Sequence, residues 1–179
     1  MKENKKGQSE KFGRLSYYRF DTRSEMGKAA AKDIANKIVS LLENQNEIRM
    51  IFAAAPSQAE VLEELIAIKG IDWSRVIAFH MDEYVGLSVQ SPQRFANWLQ
   101  HHLFGKLPFK SVHTLSGQPS AEHCIAAYSK LLNEAPIDIT CLGIGTNGHL
   151  AFNDPPVADF GDPVDVKIVP LDAINRRQQ

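Results

Sequence analysis

Cysteine is scarce: Cys124 and Cys141 are the only two thiols in 179 residues. That excludes a disulfide-dense secreted scaffold. Both lie in apolar stretches and read as small buried residues of a reducing compartment, with a structural bridge as the alternative. Charge of either sign is not in excess, the formal net charge being -1. Nothing global therefore argues for nucleic acid or an anionic membrane as partner. No apolar run approaches the roughly 20 residues needed to span a bilayer. The first 14 residues, MKENKKGQSEKFGR, are polar and basic and lack the apolar segment of a secretory leader. They read as a solvated, frayed tail before one domain over 15–179. Internal repeats and low-complexity tracts are also missing. A cytoplasmic location is expected.

What is present is alternation. Strand patterns fall at 15–20, 48–54, 76–79, 112–115, 137–142 and 166–171. Helical patterns fall between them. Thr22 and Glu25 form a capping box ahead of a face made by Ala30, Ile34, Ile38, Leu41 and Leu42. Ser57 and Glu60 form a second box ahead of Val61, Leu62, Leu65, Ile66 and Ile68, with Gly70 as the stop. Ser91-Pro92 predicts a helix start before Phe95, Trp98, Leu99, Leu103 and Phe104, and a further helix covers 120–133. His101 and His102 are adjacent on that third helix and read as partly exposed helix residues rather than metal ligands. Such alternation predicts an α/β fold: three layers, α/β/α, with a mostly parallel Rossmann-like sheet and helices on both faces.

Ligands of such sheets bind beyond the carboxyl ends of the strands. Three polar segments sit there: AAAPSQ, HMDEYVGL and GIGTNGHLAFNDP. The last contains Gly143, Gly145 and Gly148 at G-x-G-x-x-G spacing. In a dinucleotide fold the final glycine opens a long helix. Asn153-Asp154-Pro155-Pro156 leaves little room for one, so a tight strand-end turn is the better reading. Asp82 and His149 then stand at two strand ends on one sheet edge. A carboxylate there suits proton abstraction next to a carbonyl, and a histidine suits proton exchange with a sugar hydroxyl. Asp154, five residues on, can orient the ring. The competing readings are a solvated acidic turn with a structural histidine, and a metal site. His80 and Asp82, at i, i+2 spacing, could bind a divalent cation with His149 or Asp154, although no H-E-x-x-H or Cys/His cluster is present.

Met81-Asp82-Glu83-Tyr84-Val85-Gly86-Leu87, together with residues 143–155, resembles the two signature motifs of the glucosamine-6-phosphate deaminase/isomerase family, in order and separation. The resemblance runs from about Tyr17 to the end of the chain. It implies conversion of glucosamine 6-phosphate to fructose 6-phosphate plus ammonia, with no redox cofactor and no metal. By position, Asp82 resembles the base that moves a proton between C2 and C1. His149 resembles the residue that opens the pyranose ring, and Asn147 and Asp154 resemble its supporting partners. Ala55, Ser57, Gln58, Glu83 and Gly145 fall on substrate-binding positions. The expected partner is a small-molecule sugar phosphate, not nucleic acid or membrane, and a homo-oligomer is left open.

Three departures accompany the resemblance. The family usually has Glu where Asp154 stands. A Thr/Gly-rich phosphate loop is replaced by Ala53-Ala54-Ala55-Pro56-Ser57-Gln58. Family members also continue for some tens of residues, so the expectation is a sheet lacking its C-terminal strands and helices, with neither Arg176 nor Arg177 matched to the family's phosphate-binding arginine. A non-catalytic sugar-phosphate binder, a 6-phosphogluconolactonase-like enzyme and a metal-dependent hydrolase are the alternatives.

Overall fold

The computed structural model describes residues 8–171 together with Ala173 and Arg176. Arg177 and the first seven residues of the polar tail lie outside the described residues. Six strands and four helices follow one another as β1 (Gln8–Phe12), β2 (Leu15–Arg19), α1 (Arg23–Leu42), β3 (Ile48–Phe52), α2 (Ala59–Ala67), β4 (Val76–His80), α3 (Phe95–Leu99), β5 (Ser111–His113), α4 (Ala121–Leu132) and β6 (Ile139–Cys141). Strands β3 to β6 form one parallel sheet in the order β5-β4-β3-β6.

Strand β3 shows why the sheet has two covered faces. Ile48, Met50 and Phe52 are fully buried in the main apolar core. The intervening Arg49 points to the opposite face, as strand alternation requires. Its guanidinium donates to the carbonyls of Leu131, Leu132 and Ala135 at the end of α4. It also stands 4.9 Å from the centroid of Phe79. The Asp138 carboxylate meanwhile accepts from the Arg49 N–H at 2.8 Å. One strand thus anchors the core on one side and α4 on the other, with α1, α2 and α3 contributing to the core side.

Helix α1 begins as its capping box predicts. Thr22 Oγ1 accepts from the Glu25 N–H at 3.2 Å. Its most buried stripe is Gly27, Ala31, Ala35, Ile38 and Leu42, while Ala30, Ile34 and Leu41 pack partly against the core. The small residues let α2 approach closely: a Cβ on Gly27 would lie 2.7 Å from Glu60 Cβ. Helix α4 is capped by Ser120, whose side chain accepts from the His123 N–H.

The second capping box does not form. Residues Pro56–Gln58 make a 3-10 turn, and α2 starts at Ala59 with Gln58 at its cap and no side-chain cap bond. Glu60 instead takes Arg23 in a two-pronged ion pair at 2.6 and 2.7 Å, which joins the two helices. The proline-led start of α3 is also displaced. Ser91 to Gln93 form a turn, and the helix begins at Phe95. It runs on into a π-helical turn over Gln100–Phe104, which buries both Leu103 and Phe104. His102 stacks on Trp98 with ring centroids 4.0 Å apart.

Two expectations at the chain's ends change. Within the polar N-terminal segment, Gln8–Phe12 pairs antiparallel with Leu15–Arg19 as an exposed hairpin, rather than fraying. The strand expected over 166–171 is not formed. That stretch contributes Val166, Lys167, Ile168, Val169 and Leu171 to the wall of a cavity. Its apolar residues border that cavity rather than a sheet edge. Cys124 and Cys141 are both free and buried, and burial pushes the Cys141 thiol up to about 12.

Candidate active site

Parallel strands present all their carboxyl ends at one edge. The loops after β3, β4 and β6 therefore meet there, with β3 central between the other two. Their contacts are specific. A Cβ on Gly143 would lie 3.4 Å from Ser57 Oγ and 3.5 Å from Gln58 Nε2, so the loops after β6 and β3 touch. Tyr84 and Phe152 rings sit 5.3 Å apart, and Phe95 completes a three-ring cluster at 4.9 Å from Tyr84 and 5.7 Å from Phe152. That cluster joins the loops after β4 and β6 to the start of α3.

The turn after β6 explains its glycines. The Gly148 N–H bonds to the Gly145 carbonyl at 2.9 Å, and the Gly145 N–H to the His149 carbonyl at 2.9 Å. Gly148 has φ 87, a backbone region open mainly to glycine. Gly145 is needed for a different reason: a Cβ there would lie 2.2–2.5 Å from three imidazole atoms of His149. The close approach at Gly145 is thus by a side chain of its own loop.

His149, Asn147 and Asp154 form one network. His149 Nδ1 lies 2.7 Å from Asn147 Oδ1 and 3.1 Å from Asp154 Oδ1. Asn147 Nδ2 donates to Asp154 Oδ1 at 3.0 Å. This fixes the amide orientation, leaving Oδ1 to accept from His149. With two acceptors facing it, Nδ1 carries the ring proton. The other nitrogen, Nε2, takes no part in the network. Asp154 is 1% exposed. Ala151, between the two ends of this loop, has φ 52, an uncommon conformation for a residue with a Cβ.

Asp82 lines a neighbouring cavity of about 760 Å³, with Tyr84, Phe152 and Asn153 also in its wall. Burial, reinforced by the adjacent Glu83 carboxylate, pushes the Asp82 carboxyl up to about 7. His149 lies outside that wall. The two residues stand on opposite sides of β3 and are connected through the Tyr84–Phe152 contact.

Of the remaining candidates, Ala55, Ser57 and Gln58 sit together in the turn after β3, where Gln58 is buried and Ser57 exposed. Glu83 has another task. Its oxygens accept from the N–H groups of Phe95 and Ala96 at 3.1 and 3.0 Å, capping α3. It also lies 3.2 Å from Arg94 Nε, and both side chains are at most 5% exposed. Besides these structural contacts it borders the cavity. Sequence reasoning missed Arg94, because nothing in Ser91-Pro92-Gln93-Arg94 marks a buried cation. Among the described residues, no group of three or more His, Cys, Asp or Glu is placed to hold a metal ion. Nor is any described helix long and apolar enough to cross a membrane.

A parallel sheet with helices on both faces and polar loops at its carboxyl edge defines a Rossmann-like α/β protein. The chain belongs to the glucosamine-6-phosphate isomerases/6-phosphogluconolactonase family, whose model matches residues 21–153. A glucosamine-6-phosphate deaminase from Lactobacillus delbrueckii subsp. bulgaricus is 35% identical over 134 residues, 74% of this chain and 54% of that protein. One from Streptococcus sanguinis is 39% identical over 103 residues, 57% of this chain and 44% of that protein. The chain thus spans about half the length of these curated relatives. A solved monomeric glucosamine-6-phosphate deaminase superposes with TM-score 0.77 at 23% identity, over 89% of this chain and 66% of that one. A 6-phosphogluconolactonase from Thermotoga maritima gives 0.63 at 25% identity, over 70% and 58%.

Proposed function

We propose that this chain carries the proton-transfer half of an amino-sugar phosphate deaminase/isomerase acting on glucosamine 6-phosphate. The observation that supports this most is Asp82, a cavity carboxyl held near neutrality, beside a loop that orients His149 through Asn147 and Asp154. A base poised near the working pH transfers protons most efficiently. In this reading His149 Nε2 relays a proton from the anomeric hydroxyl to the ring oxygen, opening the pyranose. The Asp82 carboxylate then takes the C2 proton and returns it to C1. As the C2 amine gives up a proton and O1 takes one, the aldehyde becomes an alcohol and C2 an imine carbon. Water adds at C2, and ammonia leaves, giving the ketose phosphate.

The phosphate is assigned to the turn after β3, where Ser57 Oγ and Gln58 Nε2 face Gly143. The test is release of ammonia and fructose 6-phosphate from glucosamine 6-phosphate, compared with Asp82→Asn. Turnover that requires Asp82 supports the reading. Turnover undiminished in that variant overturns it.

A further inference from the structure

His80 is a buried titratable group at this edge that the proposed reaction does not use. It ends β4, two residues before Asp82, and is 1% exposed. Its backbone is fixed by Tyr128: the hydroxyl donates to the His80 carbonyl at 2.8 Å and accepts from its N–H at 3.0 Å. Its ring is fixed by Leu115, whose N–H donates to His80 Nε2 at 2.8 Å. The Leu115 carbonyl in turn accepts from Arg94.

Those contacts determine the tautomer. An Nε2 that accepts a backbone N–H has a lone pair, so the neutral ring carries its proton on Nδ1. Burial, and the nearby Arg94 guanidinium acting in the same direction, push the imidazole down to about 4, which keeps it neutral. The Nδ1–H that results is a buried donor with no hydrogen-bond partner among the described residues. Such orphans are rare in folded proteins, and each calls for an acceptor or another explanation. His80 lines the same cavity as Asp82 and Arg94.

We infer that His80 is a substrate-positioning residue whose Nδ1–H donates to an oxygen of the open-chain sugar phosphate held over Asp82. A neutral donor near a guanidinium selects a hydroxyl, carbonyl or oxyanion oxygen and disfavours an ammonium group. It therefore fixes which end of the C1–C2 unit faces Asp82. This rests on the sugar-phosphate reading above. Asparagine is the conservative replacement: its Oδ1 can accept from Leu115 while its Nδ2 donates to the ligand. Phenylalanine fills similar volume and can do neither.

The experiment has two arms. ¹⁵N-histidine NMR of this chain should show His80 neutral and protonated on Nδ1 between pH 6 and 8, with the Nδ1–H signal shifting when glucitol 6-phosphate, an open-chain probe, is added. Calorimetry with the same probe should give His80→Asn within about threefold of the parent, and His80→Phe weakened at least tenfold, which is about 1.4 kcal/mol. An Nε2-protonated or charged ring, or an Nδ1–H signal unmoved at saturation, overturns the inference whether or not the variants fold. Unchanged binding by His80→Phe overturns it too and leaves the deaminase reading standing. Failure of the parent chain to bind the probe overturns both.

Discussion

Asp154 Oδ1 lies 3.1 Å from His149 Nδ1 and accepts from Asn147 Nδ2 at 3.0 Å, so one carboxylate oxygen serves two neighbours. An acid one methylene shorter than the family's usual glutamate therefore still reaches the imidazole. Asn147 makes this arrangement self-consistent, because an amide both donates to Asp154 and accepts from His149. An aspartate at 147 could only accept, and would set two carboxylates against each other.

The buried Asp154 site has little room for a longer side chain. Asp154→Glu is expected to cost about 1–3 kcal/mol of stability through overpacking. Asp154→Asn keeps the shape and removes the carboxylate charge beside His149. It should lower turnover by roughly 10–10²-fold while changing the melting temperature little. Chemical denaturation and ammonia release on the two variants separate these effects. Equal loss of stability in both would contradict the geometry.

Gly145→Ala places a methyl group within 2.2–2.5 Å of the His149 ring. The ring must leave its position, and with it the contact to Asn147. Turnover should fall by at least about 10²-fold, since misplacing a reacting group by an ångström has that effect. Because the displaced group is one half-buried side chain, the melting temperature should drop only modestly. Retained activity in a folded Gly145→Ala protein would contradict the packing.

The pH behaviour of Asp82 has a definite sign. As the base it must be ionised, so turnover should rise with pH through a midpoint near 7. Stability should move the opposite way. The folded carboxyl holds its proton more tightly than the unfolded one, so this contribution is present below about 4 and is lost as pH rises through about 7. Thermal melts from pH 5 to 9 should show a decline that is weaker in Asp82→Asn. A midpoint near 4 in the rate profile would mean that Asp82 is solvated in the working enzyme.

Much of this site was legible because strand ends and motifs are local patterns. Ile48–Phe52, Val76–His80 and Ile139–Cys141 are short apolar runs, and a parallel sheet follows from their alternation with helices. The convergence of the Asp82 and His149 loops on one edge follows from that topology. What was not legible depends on partners distant in sequence. Ser57 and Glu60 have capping-box spacing, but Arg23, 37 residues away, takes Glu60. That Glu83 caps α3 depends on N–H groups 12 and 13 residues further on. Residues 166–171 read as a strand candidate, yet pairing needs an available edge, and that segment instead lines a cavity.

The Glu83–Arg94 pair leads to a prediction about specificity of folding rather than chemistry. Both side chains are almost wholly buried, and Glu83 also caps α3. Glu83→Ala leaves the Arg94 guanidinium buried without its carboxylate and removes the cap. Breaking a buried pair in this way costs about 3–5 kcal/mol. Replacing both together, as Glu83→Gln with Arg94→Met, removes the charges jointly and retains a polar side chain at the cap. The double variant should therefore be more stable than Glu83→Ala, although it carries two changes. Urea denaturation of the parent, single and double variants measures this directly. A single variant at least as stable as the double would show that Arg94 finds solvent once Glu83 is gone, and that the pair is not sealed as the structure places it.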